Sequence, residues 1–531
     1  MNDGEIVPPP IPMSQIPDAR AAPSALSDVV PRRGLIVWIA RRPDAAFGAF
    51  LAIHFAVWTA LPTVLYANLP LDLIEALTYG REWVVGSDKL PPLPWWLVEI
   101  MYWVFGVDAA YYALAEFVVI AAFALVYATA RPLVGPARAL VAVLIIDGFH
   151  YFQYTAAKFN HDVMQLPLWA LSGYALHVAL KRGKLRHWLL LGFAFGAALW
   201  AKYFVVVLAA PYLLFLLIDR NARPALRTPG PWLGVALALI IASPHVVWLF
   251  QNDFAPFAYV DARSAPASHW WDYIWHPAFF AAGQFFFTLP ALAIAAMFVW
   301  PQRTEKAPSA LPPDFSADAF DRRIVSLIAF GPAVAMLALI AATGRGAVSM
   351  WGYPLWLFCG LWIVLFVPRT IDASRLTHVV ATWSAVFAAL VLAFIINYTA
   401  LPLIDHRYRA EFFPGDALAA TLTPRFHAAT GGKPLRYVVG SMWLAGNLAH
   451  YSPDQPHVLI DGQPRRAPWV DLAKMRAKGA LLVWDVGDLQ KLPGPFAALA
   501  PNAKVGTPFT LPTRRIGKTL EHVGWAILMP Q

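Results

Sequence analysis

Apolar residues run almost unbroken for membrane-length stretches along the first 398 residues, with polar residues gathered in short segments between them. The runs are Phe47–Tyr66, Ala109–Ala130, Ala139–Tyr154, Val163–Leu180, Trp188–Ile218, Trp232–Phe250, Pro277–Trp300, Ile324–Ala342, Val348–Val367 and Val379–Tyr398. A transmembrane helix needs about 20 apolar residues. Trp188–Ile218 is long enough for two shorter spans if the chain folds back near Lys202, which brings the expectation to about eleven. Leu93–Phe105 is too short to span; with its Trp95, Trp96, Tyr102 and Trp103 it reads as a helix lying at the headgroup level.

Beyond Tyr398 the pattern changes. Short β-rich runs, Tyr437–Gly440, His457–Ile460 and Leu481–Trp484, alternate with helical patterns such as WVDLAKMRAKG from Trp469. The chain therefore divides into residues 1–45, rich in Pro, Ala and Ser in the first thirty and read as disordered; 46–399, an all-α polytopic membrane domain whose first external loop is 67–108; and 400–531, a small α/β domain.

Composition agrees, with 59% hydrophobic and 14% charged residues. The formal charge of +9 reads as topology and not as nucleic-acid binding. Arg131 and Arg138; Lys181, Arg182, Lys184 and Arg186; Arg220, Arg223 and Arg227; Arg303, Lys306, Arg322 and Arg323; and Arg369 and Arg375 fall in alternate loops, which are thereby cytoplasmic. The opposite loops hold only Arg81, Lys89, Lys158, Lys202, Arg263 and Arg345. Arg32, Arg33, Arg41 and Arg42 place the N-terminus in the cytoplasm, so the first loop and the C-terminal domain face the exterior, which for a cell inner membrane is the periplasm. The first span lacks a cleavage pattern and is expected to remain as an anchor. The lone cysteine, Cys359, lies in an apolar run, excluding an intramolecular disulfide and a thiol metal cluster.

Ionisable residues crowd the first external loop: Asp72, Glu75, Glu82, Asp88 and Lys89 precede a Pro-Pro pair. Four segments in order, Asp72 followed by DKLPPLPWW from Asp88, KFNHDVMQLPLW from Lys158, GFAFGAALWAKY from Gly192 and SPHVVWLFQNDFAPFAY from Ser243, resemble those of the multispanning glycosyltransferases that use polyprenyl-phosphate sugars. That group, of GT-C fold, includes protein O-mannosyltransferases and the bacterial transferases that add aminoarabinose or galacturonic acid to lipid A. The resemblance covers roughly the first half of the chain. It implies a GT-C-like membrane domain and transfer of a sugar from a polyprenyl-phosphate donor to lipid A, lipopolysaccharide core or another envelope acceptor, on the external face.

The resemblance implies Asp72 as the base that takes the acceptor proton and Asp162 as a second acid that orients acceptor or base. Members of the group carry adjacent Asp and Glu here, whereas this chain has Asp72, Leu73 and then Glu75 three residues on, on the same helical face if the loop is helical. Both aspartates would serve equally as helix N-caps. Lys89 and Lys202, with Arg345 as a third candidate, are expected to clamp the donor phosphate; snorkelling lysines and a boundary arginine are the alternatives. Asp88 and His245 are the candidate ligands for a divalent metal, beside a hydrogen-bonded core histidine. Trp270–Trp275 could stack on sugar or form part of an aromatic belt. A transporter or lipid flippase is the competing class, but it would show paired internal repeats. No such symmetry is visible. Protein is the alternative acceptor.

Overall fold

The computed structural model describes residues 34–301, 315–367, 369–405, 407–514 and 520–531. The expectations for residues 1–33, Arg32 and Arg33 included, and for Arg303 and Lys306 lie outside the described residues. The expected disorder of residues 1–45 does not hold for its last part: Leu35–Arg41 is a helix and a second helix starts at Pro43.

Each apolar run is helical, because lipid offers no partner to a free backbone N–H or C=O. A short α1 (Leu35–Arg41) leads into α2 (Pro43–Leu65), which opens on a proline where a missing N–H costs no hydrogen bond. After the first loop, with α3 (Leu71–Gly80) and α4 (Leu93–Phe105), come α5 (Ala109–Val134), α6 (Pro136–Asp147), α7 (His161–Arg182), α8 (Leu185–Ala201), α9 (Val205–Ile218) and α10 (Pro229–Gln251). Then follow α11 (Ala255–Arg263), α12 (Asp272–Val299), α13 (Ala319–Thr343), α14 (Cys359–Phe366), α15 (Ala373–Thr399) and the short α16 (Leu401–Ile404).

The expectation of about eleven spans needs refinement. Among the described residues seven helices are long and apolar enough to cross a membrane: α2, α5, α7, α10, α12, α13 and α15 with its continuation α16. A bent pair, the 3-10 segment Ser349–Trp356 joined to α14 at 47°, passes the same test when taken together, as a broken span or a re-entrant loop. The other two runs supply the other three expected spans, which became α6, α8 and α9, of 12, 17 and 14 residues. At 1.5 Å per residue none matches a hydrocarbon core of about 30 Å by itself. α8 and α9 part at Lys202, where the sequence places the break. α4 has 13 residues, too few to span, with Trp103, Val104 and Phe105 exposed.

Ion pairs tie helix ends together at one end of the bundle. Asp44 at the start of α2 accepts from Arg131 Nε at 2.8 Å. Lys181 at the end of α7 reaches Asp318 at 2.7 Å and Asp321 at 3.0 Å beside the start of α13. Arg323 binds Asp219 at 2.7 Å after α9. These are the loops the cation pattern assigns to one side. α3, the start of α7 and the ends of α8 and α10 lie at the other end.

Within the bundle, His54 of α2 sits between Glu116 of α5 at 3.1 Å and Asp147 of α6 at 3.0 Å, all three fully buried. Trp383 of α15 donates to the second oxygen of Asp147 at 2.7 Å. A polar cluster at this depth is tolerated because its members face one another. α8 and α10 cross at glycines: a Cβ on Gly192 would run into the Gly234 backbone, and one on Gly234 would lie 2.6 Å from the Trp188 carbonyl oxygen.

The C-terminal part begins with α17 (Gly415–Thr430) and continues as β1 (Tyr437–Gly440), α18 (Met442–Tyr451), β2 (His457–Ile460), α19 (Leu472–Lys478), β3 (Ala480–Trp484), α20 (Gly494–Leu499), β4 (Lys504–Val505), β5 (Phe509–Pro512) and β6 (Leu520–Leu528). The sheet order is β2-β1-β3-β6-β4, with β5 also on β6. β1 pairs in parallel with β2 and β3, the result of two crossovers through α18 and α19, and the remaining pairings are antiparallel. The three expected strands form the parallel half. β6, which joins the halves, carries no comparable signal. Asp471 caps α19, accepting from Ala473 N at 2.9 Å and Lys474 N at 3.1 Å.

The Gly192 crossing can be tested directly. Gly192→Leu is expected to lower the thermal midpoint in detergent, reflecting about 1–3 kcal/mol of overpacking. Gly48→Leu, where a new Cβ meets nothing within 4 Å, serves as control and is expected to melt like the parent. Equal midpoints for both variants would mean that α8 and α10 do not approach at these glycines.

Candidate active site

The first loop folds because Pro70 ends the extended segment and starts α3. Asp72 falls in the first turn of that helix, where the aligned N–H groups favour a carboxylate. It does not cap it: the N-cap position is Pro70. Asp162 takes the corresponding place in α7, whose N-cap is Asn160. Asn160 Oδ1 accepts from Asp162 N at 3.0 Å and Val163 N at 3.1 Å, while its Nδ2 donates to Asp72 Oδ2 at 2.9 Å. One asparagine therefore starts α7 and fixes the carboxylate of α3.

Five of the expected residues line a single cavity at this end of the bundle: Asp72, Glu75, Lys89, Asp162 and Lys202. Glu75 lies one turn after Asp72, as their spacing requires, and forms an ion pair with Lys89. Asp162 Oδ1 meets Lys202 Nζ at 2.5 Å, with both side chains almost wholly buried. The break between α8 and α9 is what brings Lys202 there: its ammonium lies 5.4 Å from the Phe204 ring and 5.6 Å from that of Trp351. Burial pushes the Glu75 carboxyl above its ordinary value, opposed chiefly by the Lys89 charge.

The two lysines thus arrive already paired with carboxylates. Asp72, partly exposed, has instead a neutral amide as its hydrogen-bond partner. Arg263, at the end of α11, lines the same cavity; among the described residues it makes no direct ion pair or hydrogen bond, and the Asp162 carboxylate feels its charge at longer range. In the sequence it counts only as a scattered external cation. Its spacing of four from Tyr259 puts both on one helical face, which is the signal available. Tyr259 also lines the cavity, and its ring centre lies 5.2 Å from Lys89 Nζ.

Three expected residues are placed differently. Arg345 lies outside the residues lining the cavity: it binds Asp261 at 2.5 Å and Ser264 Oγ at 3.2 Å, anchoring the end of α11 from the α13 side. Asp88 accepts from Tyr79 Oη at 3.2 Å and Arg466 Nε at 2.8 Å. His245 is fully buried, with Nδ1 2.7 Å from the Val85 carbonyl and Nε2 2.9 Å from the Tyr203 hydroxyl. The carbonyl can only accept, so Nδ1 carries the proton and Nε2 accepts from tyrosine. Both atoms of each candidate ligand are engaged within the protein, and no group of three His, Cys, Asp or Glu suited to a metal occurs among the described residues. Asp88 and His245 therefore do not fit a divalent-metal site. Trp270, Trp271 and Trp275 are exposed and line an open groove apart from the cavity.

A family described as dolichyl-phosphate-mannose-protein mannosyltransferase matches residues 89–248. The chain is 27% identical over 220 residues to the lipopolysaccharide core galacturonosyltransferase RgtB of Rhizobium johnstonii, covering 40% of this chain and 44% of the relative. It is likewise 27% identical over 216 residues to RgtA of the same organism, covering 40% and 43%. The match thus spans less than half the length of these curated relatives. ArnT from Cupriavidus metallidurans bound to undecaprenyl phosphate superposes with a TM-score of 0.59 at 13% identity, over 93% of this chain and 99% of that one. Its apo form gives 0.57. The expected fold, a GT-C-like membrane domain followed by a small α/β part, is the fold this protein shares with ArnT.

The Glu75 and Lys89 pair predicts a pH effect. A carboxyl whose folded-state pKa is raised contributes stability below its unfolded pKa, and loses it as pH rises through the folded value. Lys89→Met removes the opposing cation, so the variant is expected to lose thermal stability relative to the parent as pH rises from about 4.5 towards neutrality. Glu75→Gln added to it is expected to abolish that extra slope. Parallel melting profiles for Lys89→Met and the parent would refute the pairing.

Proposed function

We propose that the protein is an integral-membrane glycosyltransferase that moves a sugar from a polyprenyl-phosphate donor to the lipopolysaccharide core or lipid A on the external face of the inner membrane. The observation that carries this reading is the cavity at one end of the bundle, which gathers an aspartate hydrogen-bonded to a neutral amide, two lysines paired with carboxylates and an arginine that makes no direct ion pair among the described residues. The curated relatives act on lipopolysaccharide core, which supports the acceptor class over protein. The ArnT structure contains undecaprenyl phosphate, which supports a lipid-phosphate donor.

In the proposed reaction the acceptor hydroxyl attacks the anomeric carbon of the sugar. Asp72 takes the hydroxyl proton as the new glycosidic bond forms. The bond from the anomeric carbon to the phosphate oxygen breaks, and its electron pair leaves on the lipid phosphate. Arg263 and Lys89 stabilise the charge growing on that phosphate. Asn160 holds Asp72 in position, and the Asp162 and Lys202 pair keeps the floor of the cavity rigid and locally neutral. The clustering of ionisable groups at one end suits a one-sided reaction better than a pathway through the membrane.

The decisive assay is transfer from a polyprenyl-phosphate sugar by purified protein in nanodiscs, with the thermal midpoint recorded beside it. Asp72→Asn is expected to lower turnover at least a hundredfold, in the range of a lost general base, with little change in midpoint. Arg263→Met is expected to reduce donor use about tenfold or more. Retention of over a tenth of turnover by Asp72→Asn would remove it as the base; a dead Glu75→Gln in its place would transfer the role one turn along α3.

Orientation is tested separately. Alkaline phosphatase fused after the C-terminal residue is expected to be active and a fluorescent protein dark, as the cation pattern requires. A fluorescent, phosphatase-inactive pair would place the cavity on the cytoplasmic side.

A further inference from the structure

We infer that Arg466, in the C-terminal α/β part, is a positioning residue for the phosphate side of the cavity: it holds Asp88 and thereby fixes the backbone from which Lys89 enters the site. This rests on the glycosyltransferase reading above and assigns the C-terminal part a role in it.

Arg466 lies between β2 and α19 and is itself oriented by Asp461, whose carboxylate pairs with one guanidinium nitrogen. Asp461 closes β2 at φ 54, a left-handed conformation uncommon for a residue with a side chain. A second guanidinium nitrogen, Nε, donates to Asp88 Oδ2 at 2.8 Å. The other Asp88 oxygen accepts from Tyr79 of α3, whose ring stacks on Trp95 at 4.3 Å and meets the edge of Trp469 at 5.6 Å. Asp88 is therefore gripped from the membrane part and from the C-terminal part together.

The next residue is Lys89. Its N–H donates to Ser87 Oγ at 3.1 Å and that of Leu90 to the same oxygen at 3.3 Å, so the segment 87–90 is a tight turn held at Asp88. The Lys89 side chain then crosses to Glu75 in the cavity. Arg466 does not line the cavity, so it acts on the donor through the groups that Asp88 holds, this turn first and the Tyr79 ring that stacks on Trp95 second. The same loop is held at two other places. His457 meets Glu82 at 2.8 Å, and Asn68 donates to Asn447 at 3.1 Å. α18 lies so close to α3 that a Cβ on Gly446 would approach Thr78 Oγ1 at 2.6 Å. Those contacts dock the domain. Of the side-chain hydrogen bonds from the C-terminal part to this loop among the described residues, the one to Arg466 falls on a residue next to a cavity residue.

The test uses the full-length protein in nanodiscs with Arg466→Met, Arg466→Lys, Asp88→Asn and the Met and Asn double variant. Misplacing a phosphate-binding group is expected to raise the donor KM of Arg466→Met about tenfold, with kcat changed less than about twofold and a near-parental midpoint. Arg466→Lys is expected to recover part of the loss, and the double variant to be no worse than the poorer single one. Without substrate, hydrogen exchange across residues 84–92 is expected to quicken in Arg466→Met while α7 stays protected. A parental KM, fully additive losses, or unchanged exchange over 84–92 would overturn the inference. If the parent transfers no sugar from any lipid-phosphate donor, the glycosyltransferase reading fails, and the exchange measurement still decides whether Arg466 holds the turn.

Discussion

A charge removed from water must meet an opposite charge, and the contact between Asp162 and Lys202 is where this constraint organises the protein. Lys202 interrupts a run that would otherwise continue as one long helix, and the chain breaks there into α8 and α9. Asp162 stands in the first turn of α7 and reaches it at 2.5 Å. Removing one member of such a buried pair typically costs about 3–5 kcal/mol, because the other is left unsolvated. The pair thereby ties the start of α7 to the break in the α8 and α9 run, and the Asn160 that starts α7 reaches across to Asp72. The floor of the cavity and the placing of its candidate base follow from one ion pair and one asparagine.

The same constraint separates structural from reactive charge. Glu75 is in direct contact with Lys89 and Asp162 with Lys202, whereas Asp72 and Arg263 make no direct ion pair among the described residues and feel the charges of Lys89 and Asp162 only at longer range. Unmatched charges near a cavity are those free to respond to a substrate. Deeper in the bundle His54, Glu116 and Asp147 are matched too, and line no cavity described around the site. Burial alone therefore does not mark function here. What distinguishes the site is charge not held in a contact ion pair, facing an open volume.

The C-terminal part gives the first loop a rigidity that its length would not supply. A loop between α2 and α5 carrying only α3 and α4 would lose much order to conformational entropy. Contacts at Asn68, Glu82 and Asp88 to Asn447, His457 and Arg466 hold it along its course. The soluble part is thus built onto the loop that bears the candidate base.

Much of this was legible in the residues alone. Membrane helices follow from long apolar runs because hydrocarbon leaves the backbone no other solution, and the short α4 follows from an apolar run too brief to span. Lys202 could be picked out because a charge inside an apolar run is expensive, Glu75 and Lys89 because they crowd the first external loop, and Asp72 and Asp162 with the help of the resemblance of their segments. Three-dimensional packing decided the rest. Arg345 went to Asp261, Asp88 to Arg466 and His245 to Tyr203 and the Val85 carbonyl, and Arg263 entered the cavity. Residue type and spacing reveal which groups cannot stay unsatisfied. Which partner satisfies each depends on segments far apart in the chain that only the folded protein brings within hydrogen-bond reach.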